Sequence, residues 1–267
     1  MRIDCHQHFW AYNEAEFGWI DDTMAVLRRD FLPTDLKPEL DAAGMGGCIA
    51  VQAPQSLAET EFLLSLKQAN PWIVGIVGYL DVAGGLPGLD EFGPQLAGVR
   101  DNCQGMTADE MLAPGWLDGL RTLGRTGLPF DICIQHHQVE AATKMADACP
   151  NTVFVLDHLA KPPVREGHWQ GWTGQMQELA SRENVWCKLS GLPFEAEWAT
   201  WTNTSLAPLL EVAIEAFGVG RCLYGSDWPV CLCAGTYERH VGLVESVLSE
   251  SEQEQVFEIN PAKAYRL

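Results

Sequence analysis

The first candidates for chemistry in this chain are two histidines, His6 and His8, at the end of a short hydrophobic segment that begins at Ile3. Side chains two residues apart in a β-strand point to the same face, so this spacing places both imidazoles side by side. Two neutral imidazoles directed at one point can bind a divalent metal ion or polarise a carbonyl group. Because His-x-His also occurs at ordinary strand ends, the pair alone leaves a structural role open.

The elements that must position these histidines follow a regular order. Eight β-like segments lie at residues 3–9, 47–53, 73–80, 97–102, 130–136, 153–158, 185–190 and 222–226. Segments of helical period lie between most of them, at 58–70, 116–126, 139–149, 172–182 and 206–217. Strands alternating with helices predict a parallel sheet with right-handed connections. Eight such units predict one α/β domain over residues 1–267, a single (β/α)8 TIM-type barrel, with a doubly wound sheet as the alternative.

In such a barrel the active site lies at the C-terminal ends of the strands. Reactive side chains gather at these ends. They are His6 and His8 in the first segment, Arg100, Asp101 and Asn102 in the fourth, His136 and His137 in the fifth, Asp157, His158 and Lys161 in or after the sixth, Lys188 and Ser190 in the seventh, and Ser226, Asp227 and Trp228 in or after the eighth. This concentration favours a chemical role for the first two histidines.

One long connection, residues 10–33, follows the first predicted strand and is rich in aromatic residues. We call it the mouth loop. Because it starts at the C-terminal end of a strand, it can fold over the mouth of the barrel. Packing on the outer helices is the alternative.

Composition limits the partners. The chain has 36 acidic and 17 basic residues and a net charge of -19, which argues against a nucleic-acid partner and favours a small-molecule substrate. No apolar run approaches the roughly 18 residues of a membrane helix, and no signal-like segment precedes the first strand. We therefore expect a cytoplasmic protein without a membrane partner. The nine cysteines are odd in number and lie mostly in apolar segments, which predicts buried free thiols. The oligomeric state stays open.

Several motifs together resemble the amidohydrolase superfamily. They are residues 1–9 (MRIDCHQHF), 98–100 (GVR), 157–162 (DHLAKP), 188–191 (KLSG), 224–229 (YGSDWP) and 260–267 (NPAKAYRL). Within that superfamily the set is similar to the lactonase branch, which includes L-fucono- and L-rhamnonolactone hydrolases and 2-pyrone-4,6-dicarboxylate lactonase. The resemblance extends from the first residues to the last.

The resemblance implies roles for four residues. His6, His8 and His158 match histidines that polarise the lactone carbonyl, and Asp227 matches the aspartate that activates water. A carboxylate near histidines can accept a proton from water while donors stabilise the oxyanion. On its position alone, Asp227 can instead be a turn or helix-cap carboxylate, and His158 a loop histidine.

Substrate binding is expected from Arg100, Lys161, Gln52, Lys188 and Trp228. The alternatives are an ion pair of Arg100 with Asp101 or Glu110, and solvated lysines. Because His136 and His137 are adjacent, at least one of them is expected to be structural.

The expected cofactor is at most one divalent metal ion. Binuclear amidohydrolases carry a bridging lysine at the end of the fourth strand, whereas residues 98–102 contain none. A single zinc-type ion held by His6, His8 and Asp227, with a fifth-strand histidine as a further ligand, stays open. The resemblance to lactonases implies that the ion is dispensable, because a lactone is already activated. We expect catalysis without an essential metal and without an organic cofactor.

The substrate prediction depends on the cations at the strand ends. A dicarboxylate lactone calls for several arginines, and only Arg100 is found there, with Lys161 and Lys188. A neutral sugar-acid lactone is therefore expected, with the sugar and ring size open. The alternatives are a metal-dependent decarboxylase of the same superfamily, a dicarboxylate lactonase and a non-catalytic ligand-binding barrel.

Overall fold

The computed structural model describes residues 1–267. Eight parallel strands form one sheet in sequence order. They are β1 Ile3–Gln7, β2 Gly47–Val51, β3 Ile73–Gly78, β4 Gly98–Val99, β5 Phe130–Ile132, β6 Phe154–Leu156, β7 Val185–Leu189 and β8 Cys222–Tyr224. The helices are α1 Pro33–Ala42, α2 Leu57–Ala69, α3 Leu89–Phe92, α4 Ala108–Met111, α5 Pro114–Thr126, α6 Val139–Ala148, α7 Gln170–Ala180, α8 Asn203–Phe217, α9 Tyr237–Glu245, α10 Glu250–Glu254 and α11 Asn260–Tyr265.

The ring is joined between its first strand and the segment that follows its last. Gln7 and Trp228 form a parallel bridge. The backbone N–H of Asp227 donates to the carbonyl oxygen of His6 at 2.8 Å. The predicted (β/α)8 barrel is therefore confirmed.

The strands are apolar along most of their length because both of their faces are buried. A cluster of 66 buried residues packs the helices on the outside of the sheet. A separate cluster of ten, which includes Cys5, Ile49, Val155 and Tyr265 of α11, fills the inside of the ring. The C-terminal helix therefore closes the N-terminal end of the barrel, opposite the strand ends that carry reactive side chains.

The strands end earlier than the sequence predicts, although all eight exist. The fourth predicted segment, 97–102, contains only the two-residue β4, and the fifth, 130–136, only the three-residue β5. The reactive residues therefore lie in loops just beyond the strands. The five predicted helices correspond to α2, α5, α6, α7 and α8. Helix α1, which contains Pro38, was not among the predicted helices.

All nine cysteines are free, and eight of them are buried, as expected for reduced thiols in apolar segments. None of the helices has the length and apolar character of a membrane span.

Candidate active site

A bulge in β1 directs His6 into the barrel. Asp4 pairs with Cys48 and Gln7 with Ala50, so three steps along β1 face two along β2 and β1 contains one extra residue. Cys5 belongs to the cluster inside the ring, yet the next side chain, His6, also reaches the interior, where it contacts Asp157. Strand alternation from Cys5 would have turned His6 outward. The bulge therefore turns His6 into the barrel, on the same side as His8.

Four predicted catalytic residues converge on one point above the barrel interior. The Nε2 atoms of His6 and His8 are 3.2 Å apart. Oδ1 of Asp227 lies 3.4 Å from Nε2 of His8 and 3.8 Å from Nε2 of both His6 and His158. The geometry places a carboxylate among three imidazoles, although it does not assign their roles in a reaction.

The opposite nitrogen of each ring is held by an oxygen atom. For His8 the oxygen belongs to a backbone carbonyl, which only accepts, so Nδ1 carries the proton and Nε2 presents a lone pair. Nδ1 of His6 lies 3.1 Å from both the Asp157 carboxylate and the Lys188 ammonium, and its Nε2 faces the Arg100 guanidinium, a donor to which it can present a lone pair. The contacts are His6 Nδ1 to Asp157 Oδ1 at 3.1 Å, His8 Nδ1 to the Val51 carbonyl oxygen at 2.8 Å, and His158 Nδ1 to Ser190 Oγ at 2.9 Å. The rings are therefore oriented with Nε2 towards the shared point.

Two of the converging residues have left-handed backbone conformations. His158 has a φ of 53° and Asp227 a φ of 58°, and the left-handed conformation continues from His158 through Lys161. For residues with a side chain this conformation costs roughly 1–2 kcal/mol each. Such strain is typical of functional sites, where surrounding contacts hold the side chain in place.

Two glycines leave room for the histidine rings. A Cβ atom at Gly191 would lie 2.6 Å from Nδ1 of His158, and one at Gly225 would lie 2.6 Å from Cβ of His6. Both distances are shorter than real contacts. Larger residues at these positions would displace the two imidazoles.

A network of charged groups lies directly beneath the site. Asp157 is fully buried, and its carboxylate binds Lys188 Nζ at 2.9 Å and Arg100 Nη1 at 3.1 Å. Lys188 also pairs with Asp131, which accepts a hydrogen bond from the Tyr265 hydroxyl at 2.9 Å. Two carboxylates and two cations therefore balance one another inside the barrel.

The network and the burial of the site set its protonation states. Burial alone would raise the pKa of Asp157, but Lys188 and His6 outweigh it and hold that pKa well below its ordinary value. Burial lowers the pKa of His158 to about 4. Burial raises the pKa of Asp227, but the nearby histidines, His158 first, outweigh it, so the net shift is downward. At neutral pH the site holds an ionised Asp227 beside a neutral His158.

His6, His8 and Asp227 fit a single zinc-type ion. Ligands at 2.0–2.1 Å from a tetrahedral ion are about 3.3 Å apart, and the three donor atoms here are 3.2–3.8 Å apart. Converging lone pairs and a carboxylate also call for a cation between them. A second possible group, His6, Asp157 and His158, is less suitable because Lys188 and Arg100 already occupy the Asp157 oxygens.

The fifth-strand histidines do not complete this group. Nδ1 of His136 lies 3.3 Å from the carbonyl oxygen of Lys161, and His137 is exposed at the surface. Neither belongs to the possible metal-binding groups.

A cleft of about 540 Å³ opens above the converging residues. Its lining includes the polar residues Gln55, Arg100, Asn102, Gln104, Lys161 and Glu195 and the apolar residues Trp10, Trp19, Met24, Phe194 and Val230. Three of the apolar residues come from the mouth loop, whose ends are joined by a bridge between Trp10 and Phe31. The loop therefore folds over the barrel mouth, the first of its two predicted placements.

The predicted substrate-binding residues divide into two groups. Arg100 and Lys161 line the cleft. The ion-pair partner of Arg100 is Asp157, rather than the Asp101 or Glu110 that its sequence position suggested.

Lys188, Gln52 and Trp228 are not among the residues that line the cleft, unlike Arg100 and Lys161. Lys188 is enclosed by its two carboxylate partners. The Gln52 amide is fully buried and donates to the Arg100 carbonyl oxygen. The Trp228 ring packs edge-on against Phe31. His6 is also fully buried beneath the other histidines, so it reaches the site without facing the cleft.

Residues 3–267 match the family described as Amidohydrolase (Amidohydro_2). The chain belongs to this amidohydrolase family. It is 35% identical to an L-fucono-1,5-lactonase of Burkholderia multivorans, over 100% of this chain and 96% of the relative. It is 30% identical to an L-fucono-1,5-lactonase of Burkholderia ambifaria, over 89% of this chain and 83% of the relative.

A crystal structure of an amidohydrolase from Burkholderia multivorans with bound zinc has the same fold. Its TM-score is 0.94 at 34% identity, and the superposition covers 100% of this chain and 99% of that one. The family resemblance predicted from the motifs is confirmed.

The interior charges of this amidohydrolase were missed from the sequence, although a pattern could have revealed them. Asp131 lies within the apolar segment of β5, and Lys188 within that of β7. A charged residue in the middle of a buried strand needs a partner of opposite charge. Two such residues of opposite sign in nearby strands of one barrel predict an interior ion pair.

Proposed function

We propose that this protein is a hydrolase that opens the ring of a sugar-acid lactone, with an L-fucono- or L-rhamnono-type lactone as the first candidate. The observation that carries the proposal is the convergence of His6, His8 and His158 on the Asp227 carboxylate beneath the cleft. The two relatives named as L-fucono-1,5-lactonases, at 35% and 30% identity, support this class of substrate.

In the proposed reaction Asp227 acts as the general base. Its carboxylate is ionised at neutral pH and accepts a proton from the water that attacks the lactone carbonyl carbon. The bond between the carbonyl carbon and the ring oxygen then breaks, and Asp227 returns its proton to that oxygen. The product is an open-chain hydroxy acid, which releases one proton at neutral pH.

The oxyanion that forms during the attack needs positive charge close to the three histidines. Arg100 is permanently charged, lines the cleft, and has its Nη1 atom 3.4 Å from Nε2 of His6. Asp157 and the carbonyl oxygen of Gln52 hold this guanidinium in place. We assign Arg100 to substrate oxygens and to stabilisation of the oxyanion.

A divalent ion held by His6, His8 and Asp227 would supply Lewis-acid polarisation of the carbonyl. The crystal structure with bound zinc of an amidohydrolase 34% identical to this chain supports metal binding. We propose that ring opening does not depend on the ion, because a cyclic ester is already reactive and Arg100 brings a fixed positive charge to the same point.

The mixture of polar and apolar residues in the cleft lining supports a deoxy-sugar ring. Side-chain amides of Gln55, Asn102 and Gln104 can hydrogen-bond to ring hydroxyls, whereas Trp19 and Met24 can pack against an apolar face. A dicarboxylate lactone would need more arginines than the single Arg100 of this cleft.

A pH-indicator assay with matched lactones tests the proposal. L-Fuconolactone and L-galactonolactone differ by one hydroxyl, so the apolar residues of the cleft lining predict faster release of protons from the fuconolactone. A higher rate with 2-pyrone-4,6-dicarboxylate than with either sugar lactone would contradict the substrate class. Release of carbon dioxide from a hydroxybenzoate, without lactone hydrolysis, would instead support the decarboxylase.

The proposal also covers the domain organisation and the cellular compartment. We propose that residues 1–267 act as one domain in the cytoplasm. The acidic composition and the nine free cysteines are typical of a reducing compartment and a small-molecule substrate.

A further inference from the structure

A small cavity lies next to the site, between β7 and β8 and the helices α8 and α9. Its volume for the centre of a water molecule is about 10 Å³, which is close to the minimum that holds one water. Ser190, Gly191, Gly225 and His240 contribute to its lining, and the remaining lining is mainly apolar. The cavity is separate from the substrate cleft, although Gly191 contributes to both.

His240 on α9 has an unsatisfied nitrogen. The side chain is 4% exposed, and its Nε2 atom has no hydrogen-bond partner in the protein. The Cys231 backbone also acts on the ring and raises its pKa, as an acceptor near a ring N–H would. A proton on the other nitrogen, Nδ1, leaves Nε2 as an acceptor. Burial lowers the pKa of His240 to about 4, so the ring is neutral. Its Nε2 is therefore a buried acceptor that lacks a donor.

Ser190 has a hydroxyl proton that lacks an acceptor. Its Oγ lies 2.9 Å from Nδ1 of His158 and also accepts from the His158 backbone N–H at 3.3 Å. When Nδ1 of His158 is the donor, the Ser190 hydroxyl still has its own proton to give, and no protein acceptor takes it. One cavity therefore brings together a donor without an acceptor and an acceptor without a donor.

We propose that one ordered water in this cavity accepts from the Ser190 hydroxyl and donates to Nε2 of His240, which makes His240 a positioning residue for His158. The hydrogen bonds then run in one direction, from His158 to Ser190, to water, to His240 and to the Cys231 carbonyl. In this series of hydrogen bonds His158 keeps its proton on Nδ1 and presents the Nε2 lone pair to the shared point near Asp227.

Loss of these hydrogen bonds would change the tautomer of His158. Without an acceptor beyond it, the Ser190 hydroxyl can donate to Nδ1 of His158, which moves the His158 proton to Nε2. That proton would then face Asp227 and compete with water for the carboxylate. The kinetic part of this inference rests on the proposed lactonase function, whereas the tautomer of His158 does not.

Nitrogen-15 NMR of the full chain tests the tautomer directly. The wild-type spectrum is expected to show His158 protonated on Nδ1, and His240→Phe is expected to shift the population towards Nε2. His240→Phe keeps a ring of similar size and removes both nitrogens. A wild-type His158 protonated on Nε2, or an unchanged tautomer in the variant, would overturn the proposal.

Kinetics test whether His240 acts through Ser190. His240→Phe should lower kcat by roughly 10-fold with little change in KM, as for other groups that orient a functional histidine. Ser190→Ala should do the same, and the double variant should be no slower than Ser190→Ala alone. Val241→Ala, a buried neighbour on α9 outside the cavity, should reduce stability without this effect on kcat. Multiplying effects in the double variant would contradict the proposal.

A wild-type crystal structure at a resolution that shows water keeps the proposal testable if His240→Phe does not fold. A water within hydrogen-bond distance of Ser190 Oγ and His240 Nε2 is expected, and its absence would overturn the proposal. If wild-type protein shows this water and tautomer but hydrolyses no lactone, the proposed function fails while the positioning of His158 stands.

Discussion

Nζ of Lys188 lies 2.9 Å from Oδ1 of Asp157 inside the barrel, and neither side chain is exposed to solvent. Lys188 also pairs with Asp131, so its single charge stabilises two buried carboxylates. Burial opposes the charged form, but the two carboxylates outweigh it and raise the pKa of Lys188. The lysine that the sequence assigned to substrate therefore stabilises the layer beneath the histidines.

Replacement of Lys188 with Met should destabilise the protein strongly. The change keeps the length of the side chain and leaves two buried carboxylates with Arg100 as their remaining cation. Loss of one partner of a buried ion pair costs about 3–5 kcal/mol of unfolding free energy, which urea denaturation can measure. Lys144→Met is the control, because Lys144 pairs with Glu140 at the surface and should change stability little. A stable Lys188→Met protein with a raised KM would instead support substrate binding.

Arg100→Lys should weaken catalysis. The guanidinium binds Asp157 through Nη1 and the Gln52 carbonyl oxygen through Nη2, and lysine cannot reproduce both contacts while facing the cleft. We expect kcat/KM to fall by about 1.4 to 3 kcal/mol, or ten- to a hundred-fold.

Melting temperature and kinetics should be measured on the same Arg100→Lys protein. A purely structural Arg100 predicts a lower melting temperature with normal kcat/KM in the folded fraction. That result would remove Arg100 from substrate binding.

The sequence predicted the barrel and its reactive end because those depend on local patterns. Eight apolar segments separated by helices define the strands, and strand-end positions predict the set of reactive residues. The resemblance to the amidohydrolase superfamily then singled out His6, His8, His158 and Asp227 from that set. The bulge in β1 could not be predicted, because it depends on how β1 pairs with β2. The left-handed backbone from His158 to Lys161 depends in the same way on surrounding contacts.

The interior position of the Lys188 side chain could not be predicted from the sequence pattern either. Position at a strand end does not show whether a side chain faces the cleft or the interior layer below it. That distinction depends on the stagger of the strands and on the two aspartates that Lys188 meets in space. The single-domain assignment over residues 1–267 stays a prediction.

Removal of metal should leave much of the lactonase activity. The ligand set of His6, His8 and Asp227 fits an ion, so zinc binding by the chelated protein should be measurable by calorimetry and lost in His8→Ala. Activity measured before and after chelation then shows whether the bound ion is also required for lactone hydrolysis. Complete loss of activity on chelation, with recovery on adding zinc, would show that the reaction requires the ion.

Acid should destabilise the protein through its buried neutral histidines. His158 and His240 both have a pKa lowered to about 4, mainly by burial. Between about pH 6.5 and 4 the unfolded chain binds protons at these positions that the folded chain does not, so the unfolding free energy falls as the pH decreases. Urea denaturation across this range should show the slope, and His240→Phe should reduce it. An unchanged slope in that variant would contradict the lowered pKa of His240.

The most direct test of the proposed mechanism is the turnover number of Asp227→Asn with the best aldonolactone substrate. Asparagine keeps the volume of the side chain and removes the proton acceptor, so kcat should fall by about 10²-fold or more while the barrel stays folded. Asp101→Asn changes another buried carboxylate beyond a strand end, one that binds Gln55 and the Val82 N–H, and should affect kcat far less. Retention of more than half of the wild-type kcat by Asp227→Asn would contradict the assignment of Asp227 as the general base.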